Sequence, residues 1–461
     1  MNYISTRGMI KPISFSEAVM MGLAPDGGLL LPVQIPDVSD RLDDWKKLRY
    51  QDLAAEIMSL YISEDDIPQV DLCELLEQSY ATFDDEAITP LVKTGRLIIQ
   101  EMFHGPTLAF KDLALQFLGN LFGYLLKRTG RHLNILAATS GDTGSAAINS
   151  VCGKDGINIF VLHPRNKISL LQELQMTTVL DDNVYNIAIE GTFDDGQRII
   201  KKLFADLAFK KHRALGAVNS INWARILAQI VYYFYGAFRA REMTGKDQVI
   251  YCVPTGNFGN IFAGYLAKRM GAPISKLILA TNTNDILTRF FETGIYKPGH
   301  AHQTISPSMD IQTASNFERY LYYQVNEDST RVRGLMRQLS IAREIHPMEQ
   351  PVSSEFVADW VDFQDTVATI KKLYKANNYL IDPHTAVGVA VAKRFPNKGK
   401  PIICQATAHP AKFFEIVEEA TGVKVHHPAL DGLENLPTRC AVLPASRDYV
   451  QAFIEEKIKG E

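Results

Sequence analysis

Three segments of the chain carry residue types that could do chemistry together. Lys111 supplies a primary amine in the run His104-Gly-Pro-Thr-Leu-Ala-Phe-Lys-Asp112. Two glycine-rich loops follow, Ser140-Gly-Asp-Thr-Gly144 and Gly256-Asn-Phe-Gly-Asn260, each between an apolar run and a helix-like run. Glycines let backbone amides approach an anion, and a helix that begins there adds about half a positive charge from its dipole. The sequence therefore predicts one reactive amine and two anion-binding loops.

An amine combined with two anion sites suggests pyridoxal phosphate chemistry. Lys111 would form the imine, residues 256–260 would hold the cofactor phosphate, and residues 140–144 would hold an acidic substrate. Residues 256–260 match neither the Walker A motif nor the Gly-x-Gly-x-x-Gly fingerprint. Each feature alone also has a simpler interpretation. These are a solvated surface lysine, a tight turn without a ligand, and a helix-capping cluster.

Two further segments could contact such ligands. Asn219, Ser220 and Arg225 precede or open a long apolar helix. Arginine offers a rigid fork for phosphate, and each charge-assisted bond is worth roughly 1.5–3 kcal/mol. The alternative is a helix cap with Arg225 in a salt bridge. Thr407 follows an apolar strand, and its hydroxyl could face a pyridine nitrogen, although most such threonines only cap a helix.

The elements that must position these residues alternate between strands and helices. Apolar or β-branched runs that begin at residues 133, 158, 249, 276 and 401 are typical of strands, and helical segments follow the first three. This alternation predicts an α/β fold of parallel sheets with helices on their faces, and ligands at the carboxyl ends of the strands. Residues 1–95 contain a turn-rich stretch and helical periodicity at 45–60 and 70–83, which predicts a separate N-terminal unit.

Composition excludes several classes of protein. With 461 residues the chain has room for about three domains. Its net charge of −4 argues against a nucleic-acid partner. The five cysteines are scattered without a Cys-x-x-Cys pair, which favours reduced thiols in a cytoplasm over a metal site or disulfides. The longest apolar stretch, residues 223–238, is interrupted by Arg225 and Gln229, so we expect a buried helix and no membrane partner.

The ordered motifs resemble those of the threonine synthases, within the tryptophan-synthase-like (fold type II) family of pyridoxal phosphate enzymes. The resemblance extends almost end to end and is specific as a set. It is carried by Tyr3-x-Ser-Thr-Arg-Gly8, Ala24-Pro-Asp-Gly-Gly28, Phe103-His-Gly-Pro-Thr-Leu-Ala-Phe-Lys-Asp112, Ser306-Pro-Ser-Met-Asp-Ile-Gln312, Ser315-Asn-Phe-Glu-Arg319, Asp382-Pro-His-Thr-Ala386 and Thr407-Ala-His-Pro-Ala-Lys412.

The resemblance implies a fold and a division into domains. The fold is the type II arrangement of two open, mainly parallel twisted sheets flanked by helices, together with an N-terminal domain. Residues 1–95 would form that domain and residues 96–461 the catalytic region. Within it, residues from about 115 to 240 would form a smaller substrate-side domain, and the remainder a larger cofactor domain.

The resemblance also implies roles for single residues. Lys111 would carry the imine and move protons, and Thr407 would bond to the pyridine nitrogen. The cofactor phosphate would be held by Gly256, Asn257, Phe258, Gly259 and Asn260. The substrate would be held at its amino-acid end by Thr139, Ser140, Asp142 and Thr143, and at its phosphate by Asn219, Ser220 and Arg225. Asp142 departs from the wider family, where many members carry asparagine, and a charged carboxylate would repel that of the substrate.

The implied reaction converts O-phospho-L-homoserine and water to L-threonine and phosphate by γ-elimination and β-addition of water. A cytoplasmic biosynthetic lyase, monomeric or homodimeric, is expected. The alternatives are another type II enzyme, such as a serine or threonine dehydratase, a β-replacement synthase or a phospho-lyase, and a non-catalytic ligand-binding relative. The segment around Arg225 and the long N-terminal unit favour the threonine synthases over the dehydratases.

Overall fold

The structure, a computed structural model, describes residues 1–139, 141–347 and 354–458. The chain divides into two compact units assembled from separated segments. The first unit contains residues 1–114 and 220–425, and the second contains residues 115–219 and 426–461. The division at residue 95 between an N-terminal domain and a catalytic region, and that of the catalytic region into substrate-side and cofactor domains, stay predictions.

The strands of the described residues form three sheets. They are β1 (Tyr3–Ser5), β2 (Leu30–Pro32), β3 (Leu91–Thr94), β4 (Leu97–Glu101), β5 (Leu133–Ala138), β6 (Ile157–Pro164), β7 (Val184–Glu190), β8 (Leu215–Gly216), β9 (Val249–Pro254), β10 (Ile274–Thr281), β11 (Phe356–Trp360), β12 (Ile402–Ala406) and β13 (Ala441–Pro444). A six-stranded sheet in the order β11-β10-β9-β12-β4-β3 lies in the first unit, together with the pair β1-β2. A five-stranded sheet in the order β13-β7-β6-β5-β8 lies in the second unit.

Helices fill most of the intervals between the strands. They are α1 (Phe15–Met21), α2 (Leu42–Trp45), α3 (Tyr50–Ser59), α4 (Gln69–Tyr80), α5 (Lys111–Thr129), α6 (Asp142–Val151), α7 (Leu170–Thr177), α8 (Phe193–Ala205), α9 (Leu207–His212), α10 (Trp223–Thr244), α11 (Gly259–Arg269), α12 (Ile286–Thr293), α13 (Phe317–Gln324), α14 (Ser329–Ala342), α15 (Phe363–Asn377), α16 (Pro383–Arg394), α17 (Phe414–Thr421) and α18 (Arg447–Ile458). The helical periodicity over residues 45–60 falls on two helices: α2 ends at Trp45, and α3 begins at Tyr50.

The six-stranded sheet is parallel except for the antiparallel pair β3–β4. Every residue of β9 and of β12 is buried, as expected for central parallel strands whose faces are both covered. Because β4, β9 and β12 run in the same direction, their carboxyl ends lie at one edge of the sheet. The segments that follow these ends are residues 102–110, 255–260 and 407–413, which contain or adjoin three of the predicted site segments.

The five-stranded sheet is parallel throughout. Its core packs β6 and β7 against α8 and α18, with Phe160, Ile187 and Ile454 almost fully buried. β5 ends at Ala138, and α6 begins at Asp142. The expected α/β fold with two mainly parallel sheets flanked by helices is confirmed.

The apolar stretch that begins at Trp223 forms α10, and residues 223–238 are buried along its whole length, as predicted. No helix among the described residues has the length and apolar character needed to cross a membrane.

Candidate active site

Lys111 is the first residue of α5, and its side chain is only 7% exposed. Backbone hydrogen bonds hold the preceding segment against the segment after β12: the Phe110 N–H donates to the Thr407 carbonyl at 2.9 Å, and the His409 N–H donates to the Leu108 carbonyl at 3.0 Å. Leu108 adopts a left-handed conformation with φ of 59°. The simpler interpretation as a solvated surface lysine is therefore wrong, because the amine lies among buried groups at the carboxyl edge of the sheet.

The residue after the lysine stiffens this segment. The buried Asp112 carboxylate accepts hydrogen bonds from the Thr107 N–H at 2.8 Å and the Thr107 hydroxyl at 2.6 Å. Burial raises the pKa of Asp112 to about 6, although the bonds from Thr107 oppose this shift. A Cβ on Gly105 would lie 2.5 Å from that of Asp112, so only glycine fits there. Contacts within the motif, between Asp112 and the residues Gly105 and Thr107, thus fix the conformation of the segment before Lys111.

Residues 256–260, here called the glycine loop, follow β9 and include the first two residues of α11. A Cβ on Gly256 would lie 2.5 Å from the carbonyl oxygen of Ser308, and one on Gly259 would lie 3.0 Å from the Asn316 amide nitrogen. Phe258 precedes α11 with a positive φ of 65°, and its ring packs 5.5 Å from that of Phe317. The loop therefore presents backbone amides in the first turn of α11, where helical N–H groups have no partner within the helix.

The side chain of Asn260 faces the protein interior. Its amide nitrogen donates to the Gln405 side chain at 2.9 Å, and its amide oxygen accepts from the hydroxyls of Tyr232 at 2.6 Å and Tyr233 at 2.9 Å. These bonds anchor the start of α11 to β12 and α10. Asn260 can thus contribute to an anion site through its backbone N–H.

Asn316 holds the other end of the glycine loop. Its N–H and its side-chain amide both donate to the Asn257 carbonyl, at 3.1 and 3.2 Å. The same side-chain amide donates to the Ser220 carbonyl at 3.2 Å. One asparagine therefore joins the predicted cofactor loop to a segment predicted to hold the substrate phosphate.

Arg319 is a fully buried arginine behind Asn316. Its guanidinium donates to the Leu30 carbonyl at 3.1 and 2.9 Å, to the Ile221 carbonyl at 2.6 Å, and to the Asn316 side-chain oxygen. Burial lowers the pKa of Arg319 to about 9. Its hydrogen bonds connect β2, in the N-terminal part of the chain, to the segment before α10 and to Asn316, which holds the glycine loop.

Arg225 lies in the first turn of α10 and is 97% buried, with 3% of its surface exposed. Burial lowers its pKa to about 10. The cap of α10 is Asn222, whose side chain accepts from the Ala224 N–H at 3.1 Å. Ser220 is therefore not the cap. The neighbouring Ile226 would lie 3.5 Å from a Cβ on Gly259, so the start of α10 packs against the glycine loop.

In the second unit, the predicted residues Thr139, Asp142 and Thr143 lie together at the start of α6. The Thr139 hydroxyl accepts from the N–H groups of Gly141 and Gly144, both at 3.0 Å. The buried Asp142 carboxylate accepts from the Gln172 amide at 3.1 Å. Thr143 is half-buried and the second unit's Asn219 is exposed. Ser140 lies outside the described residues.

The first unit thus brings together Lys111, Thr407, the glycine loop, Ser220 and Arg225. These residues fit pyridoxal phosphate. Gly256 and Gly259 leave the backbone at the start of α11 free of side chains, as a phosphate site requires, and the buried Lys111 amine lies near it. Among the described residues no cluster of three or more His, Cys, Asp or Glu side chains could hold a metal ion.

Sequence reasoning gave no role to four residues that shape this site. They are Ser308, Asn316, Arg319 and His384. All four belong to motifs on which the resemblance rests, so the motifs themselves were the available signal. Their contacts join residues far apart in the chain, and local patterns cannot reveal such contacts.

Comparisons relate the chain to known proteins along most of its length. Residues 2–80 match the family model for the threonine synthase N terminus, residues 82–345 that for pyridoxal-phosphate dependent enzymes, and residues 385–454 that for threonine synthase, C-terminal. The chain is 45% identical to the threonine synthase of Saccharomyces cerevisiae, covering 96% of this chain and 91% of the relative. It is 44% identical to that of Methylobacillus glycogenes, covering 99% and 100%. A crystal structure of PLP-bound threonine synthase from Brucella melitensis superposes with a TM-score of 0.94 at 43% identity, covering 99% of both chains. The chain therefore belongs to the threonine synthase family of pyridoxal-phosphate dependent enzymes.

Proposed function

We propose that the protein converts O-phospho-L-homoserine and water to L-threonine and phosphate. The observation that carries this proposal is the arrangement of the first unit: a buried lysine and the glycine loop lie at one sheet edge, and a buried arginine opens the helix packed against that loop. The family membership supports the same reaction.

Lys111 and the glycine loop form the proposed cofactor site. Bound pyridoxal phosphate supplies an electron sink for negative charge that develops beside the substrate amine. Lys111 would hold the cofactor aldehyde through its amine, and the backbone N–H groups of residues 256–260 would hold its phosphate. The hydroxyl of Thr407 would bond to the pyridine nitrogen. Since a hydroxyl is neutral, it would favour protonation of the pyridine ring less than a carboxylate would. Amide donors elsewhere in the site would then have to stabilise the negative charge that develops on the substrate.

Arg225 is the proposed anchor of the substrate phosphate. Even with a pKa lowered to about 10, its guanidinium is charged at neutral pH. Its place in the first turn of α10 adds the positive end of the helix dipole to that charge. The assignment of Asn219 and Ser220 to the same phosphate, and of Thr139, Ser140, Asp142 and Thr143 to the amino-acid end of the substrate, stays a prediction from the sequence motifs.

Lys111 is also the proposed proton carrier. Release of phosphate from the γ-carbon requires removal of one proton from the α-carbon and one from the β-carbon. Addition of water then places a hydroxyl on the β-carbon, while protons return to the γ- and α-carbons. An unprotonated amine can accept these protons and return them.

A product assay tests this function. The purified protein, supplied with pyridoxal phosphate, is incubated with O-phospho-L-homoserine, and both phosphate and the organic product are identified. We expect equal amounts of phosphate and L-threonine. Phosphate with 2-ketobutyrate would instead assign a phospho-lyase. Ammonia with a keto acid from L-threonine would assign a dehydratase, and a bound cofactor without turnover a non-catalytic relative.

We further propose a cytoplasmic enzyme that works as a monomer or homodimer. The free cysteines support a reducing compartment: Cys73, Cys152, Cys252, Cys404 and Cys440 form no disulfide among the described residues. Light scattering coupled to size-exclusion chromatography distinguishes the two oligomeric states.

A further inference from the structure

Ser308 lies between the lysine amine and the glycine loop. The Lys111 Nζ donates to the Ser308 hydroxyl at 3.3 Å. The Ser308 carbonyl oxygen packs against Gly256, where an added Cβ would lie only 2.5 Å away. A single residue therefore contacts both the reactive amine and the cradle proposed for the cofactor phosphate.

A buried histidine and aspartate hold Ser308 in place. The Ser308 N–H donates to His384 Nε2 at 3.3 Å, and His384 Nδ1 bonds to Asp382 Oδ2 at 2.7 Å. Since Nε2 accepts a hydrogen bond, the ring proton must lie on Nδ1 and point to Asp382. Asp382 is fully buried and His384 is 3% exposed.

The aspartate is itself fixed by a helix. Asp382 caps α16, where its carboxylate accepts from the N–H groups of His384 at 2.9 Å and Thr385 at 3.1 Å. A second anchor lies before Ser308, because the Asn282 amide donates to the Ser306 hydroxyl at 2.9 Å. These bonds hold the backbone at Ser308, from which its hydroxyl reaches Lys111.

We propose that Ser308 is a further catalytic residue, whose hydroxyl stabilises the ammonium form of Lys111 during proton transfer, and that His384 and Asp382 are its positioning residues. This proposal rests on the proposed function, in which Lys111 moves the substrate protons. When the amine takes a proton, a C–H bond breaks, its electron pair stays with the carbon side, and an N–H bond forms. The new ammonium donates to the Ser308 oxygen, which keeps its own proton.

The main test is proton exchange catalysed by the holoenzyme. With L-threonine in deuterated water, exchange of the α-proton measures proton transfer separately from release of phosphate. A hydrogen bond to a charged group is worth enough to change this rate by about ten- to a hundredfold. We expect Ser308→Ala to lose that factor in kcat with KM nearly unchanged, and Ser308→Thr to keep most of the rate.

A second readout needs no cofactor. Reductive methylation of Lys111 in the cofactor-free chain, followed by peptide mass spectrometry across a pH series, reports the protonation of the amine. Loss of a group that accepts from the ammonium should move the midpoint to lower pH in Ser308→Ala. His384→Ala should move it in the same direction, and His384→Gln, whose side-chain oxygen can still accept from the Ser308 N–H, should restore it.

Ser340→Ala is the matched control. Ser340 is exposed on α14, and its hydroxyl donates to the Arg337 carbonyl of the same helix at 2.8 Å. If Ser308→Ala behaves like this control in exchange and in methylation, the proposal is overturned. If Ser308→Ala does not fold, Ser308→Gly takes its place, because it also lacks the hydroxyl and predicts the same shifts.

The two proposals fail separately. A wild-type chain that makes no threonine but shows the Ser308-dependent methylation shift would reject the proposed function and keep the contact between Ser308 and the Lys111 ammonium. A wild-type chain that makes threonine, with exchange and methylation insensitive to Ser308, would reject only the role of Ser308.

Discussion

Adding one methyl group to the glycine loop tests how tightly the site is built. In Gly256→Ala the new Cβ would lie 2.5 Å from the Ser308 carbonyl oxygen and 3.3 Å from the Met309 Cα. Ordinary van der Waals contact begins at about 3.4 Å, so Ser308 or the glycine loop must move by about 0.9 Å. Both clashing atoms are backbone atoms, which cannot rotate away as a side chain can. Overpacking of this kind typically costs about 1–3 kcal/mol.

Two measurements together capture that cost. The free energy of unfolding of the cofactor-free chain reports the part borne by the fold, and titration with pyridoxal phosphate, followed by visible absorbance, reports the part borne by the cofactor site. We expect the two losses to sum to about 1–3 kcal/mol, equivalent to about a five- to 150-fold change if affinity alone bears it.

Gly334→Ala is the matched control for this substitution. Gly334 is exposed within α14, and a Cβ there would meet no atom within 4 Å. Replacing a glycine in a helix interior by alanine should stabilise the fold by about 1 kcal/mol, with cofactor affinity unchanged. If Gly256→Ala matches the wild type within about 0.5 kcal/mol in both measurements, the close packing of the loop against Ser308 is refuted.

Substitutions at four further positions test the site and the fold around it. Lys111→Ala should abolish turnover and the visible band of the bound cofactor; a borohydride-reducible cofactor bond elsewhere in the chain would contradict the assignment. Arg225→Ala should raise KM for the phosphorylated substrate at least tenfold and leave cofactor titration unchanged, and an unaltered KM would reject its role. Arg319→Met should lower the free energy of unfolding in urea by about 3–5 kcal/mol, because it leaves buried carbonyls without a donor, and Arg319→Lys should recover part of this loss. An Arg319→Met variant with the same free energy of unfolding as the wild type would contradict this role of Arg319. Burial lowers the pKa of His104, but hydrogen bonds with Glu101 and Asp84 outweigh burial and raise the pKa overall. The charged His104 therefore stabilises the folded chain fully below the pKa of histidine in the unfolded chain, about 6.5, and this stabilisation is lost as the pH rises through the pKa in the folded chain. His104→Gln should accordingly destabilise the chain at about pH 6 and matter much less at about pH 9, and a pH-independent effect would speak against this linkage.

The sequence predicted those parts of the site that have local signals. The strand over residues 249–254 is apolar throughout and ends in a glycine loop, so its place in a parallel sheet could be inferred from the residues alone. The helix that begins at Trp223 follows from its long apolar run, and the structure confirms its burial. Ordered motifs added what spacing cannot provide, namely the prediction of a reactive lysine at position 111, and the structure shows that this residue is buried.

Other features depend on contacts between distant residues. The strand order β11-β10-β9-β12-β4-β3 places β12 between β9 and β4, although about 300 residues separate β4 from β12 in the chain. That order brings Thr407 to Lys111 through the bond between the Phe110 N–H and the Thr407 carbonyl. Periodicity reports which face of an element is buried, but it does not report which element covers that face.

The roles of Asn260 and Arg319 illustrate the same limit. An asparagine beside a glycine loop suggests a ligand contact, yet the Asn260 amide bonds to Gln405 and two tyrosines. An arginine in a helix suggests a surface charge, yet Arg319 bonds to Leu30, 289 residues away. Burial decides both outcomes, because a polar group removed from water must find partners wherever the fold places them.

The chain's sequence by itself indicated a type of chemistry and the residues proposed for it, a lysine amine and a glycine-rich loop, since residue type and order carry that information. Only the tertiary structure decided that Ser308 contacts the amine and that His384 and Asp382 stand behind it. Lys111 and Ser308 are 197 positions apart, and Ser308 and His384 are 76 positions apart. Chain connectivity does not bring such positions together. Packing of the sheet and its helices does.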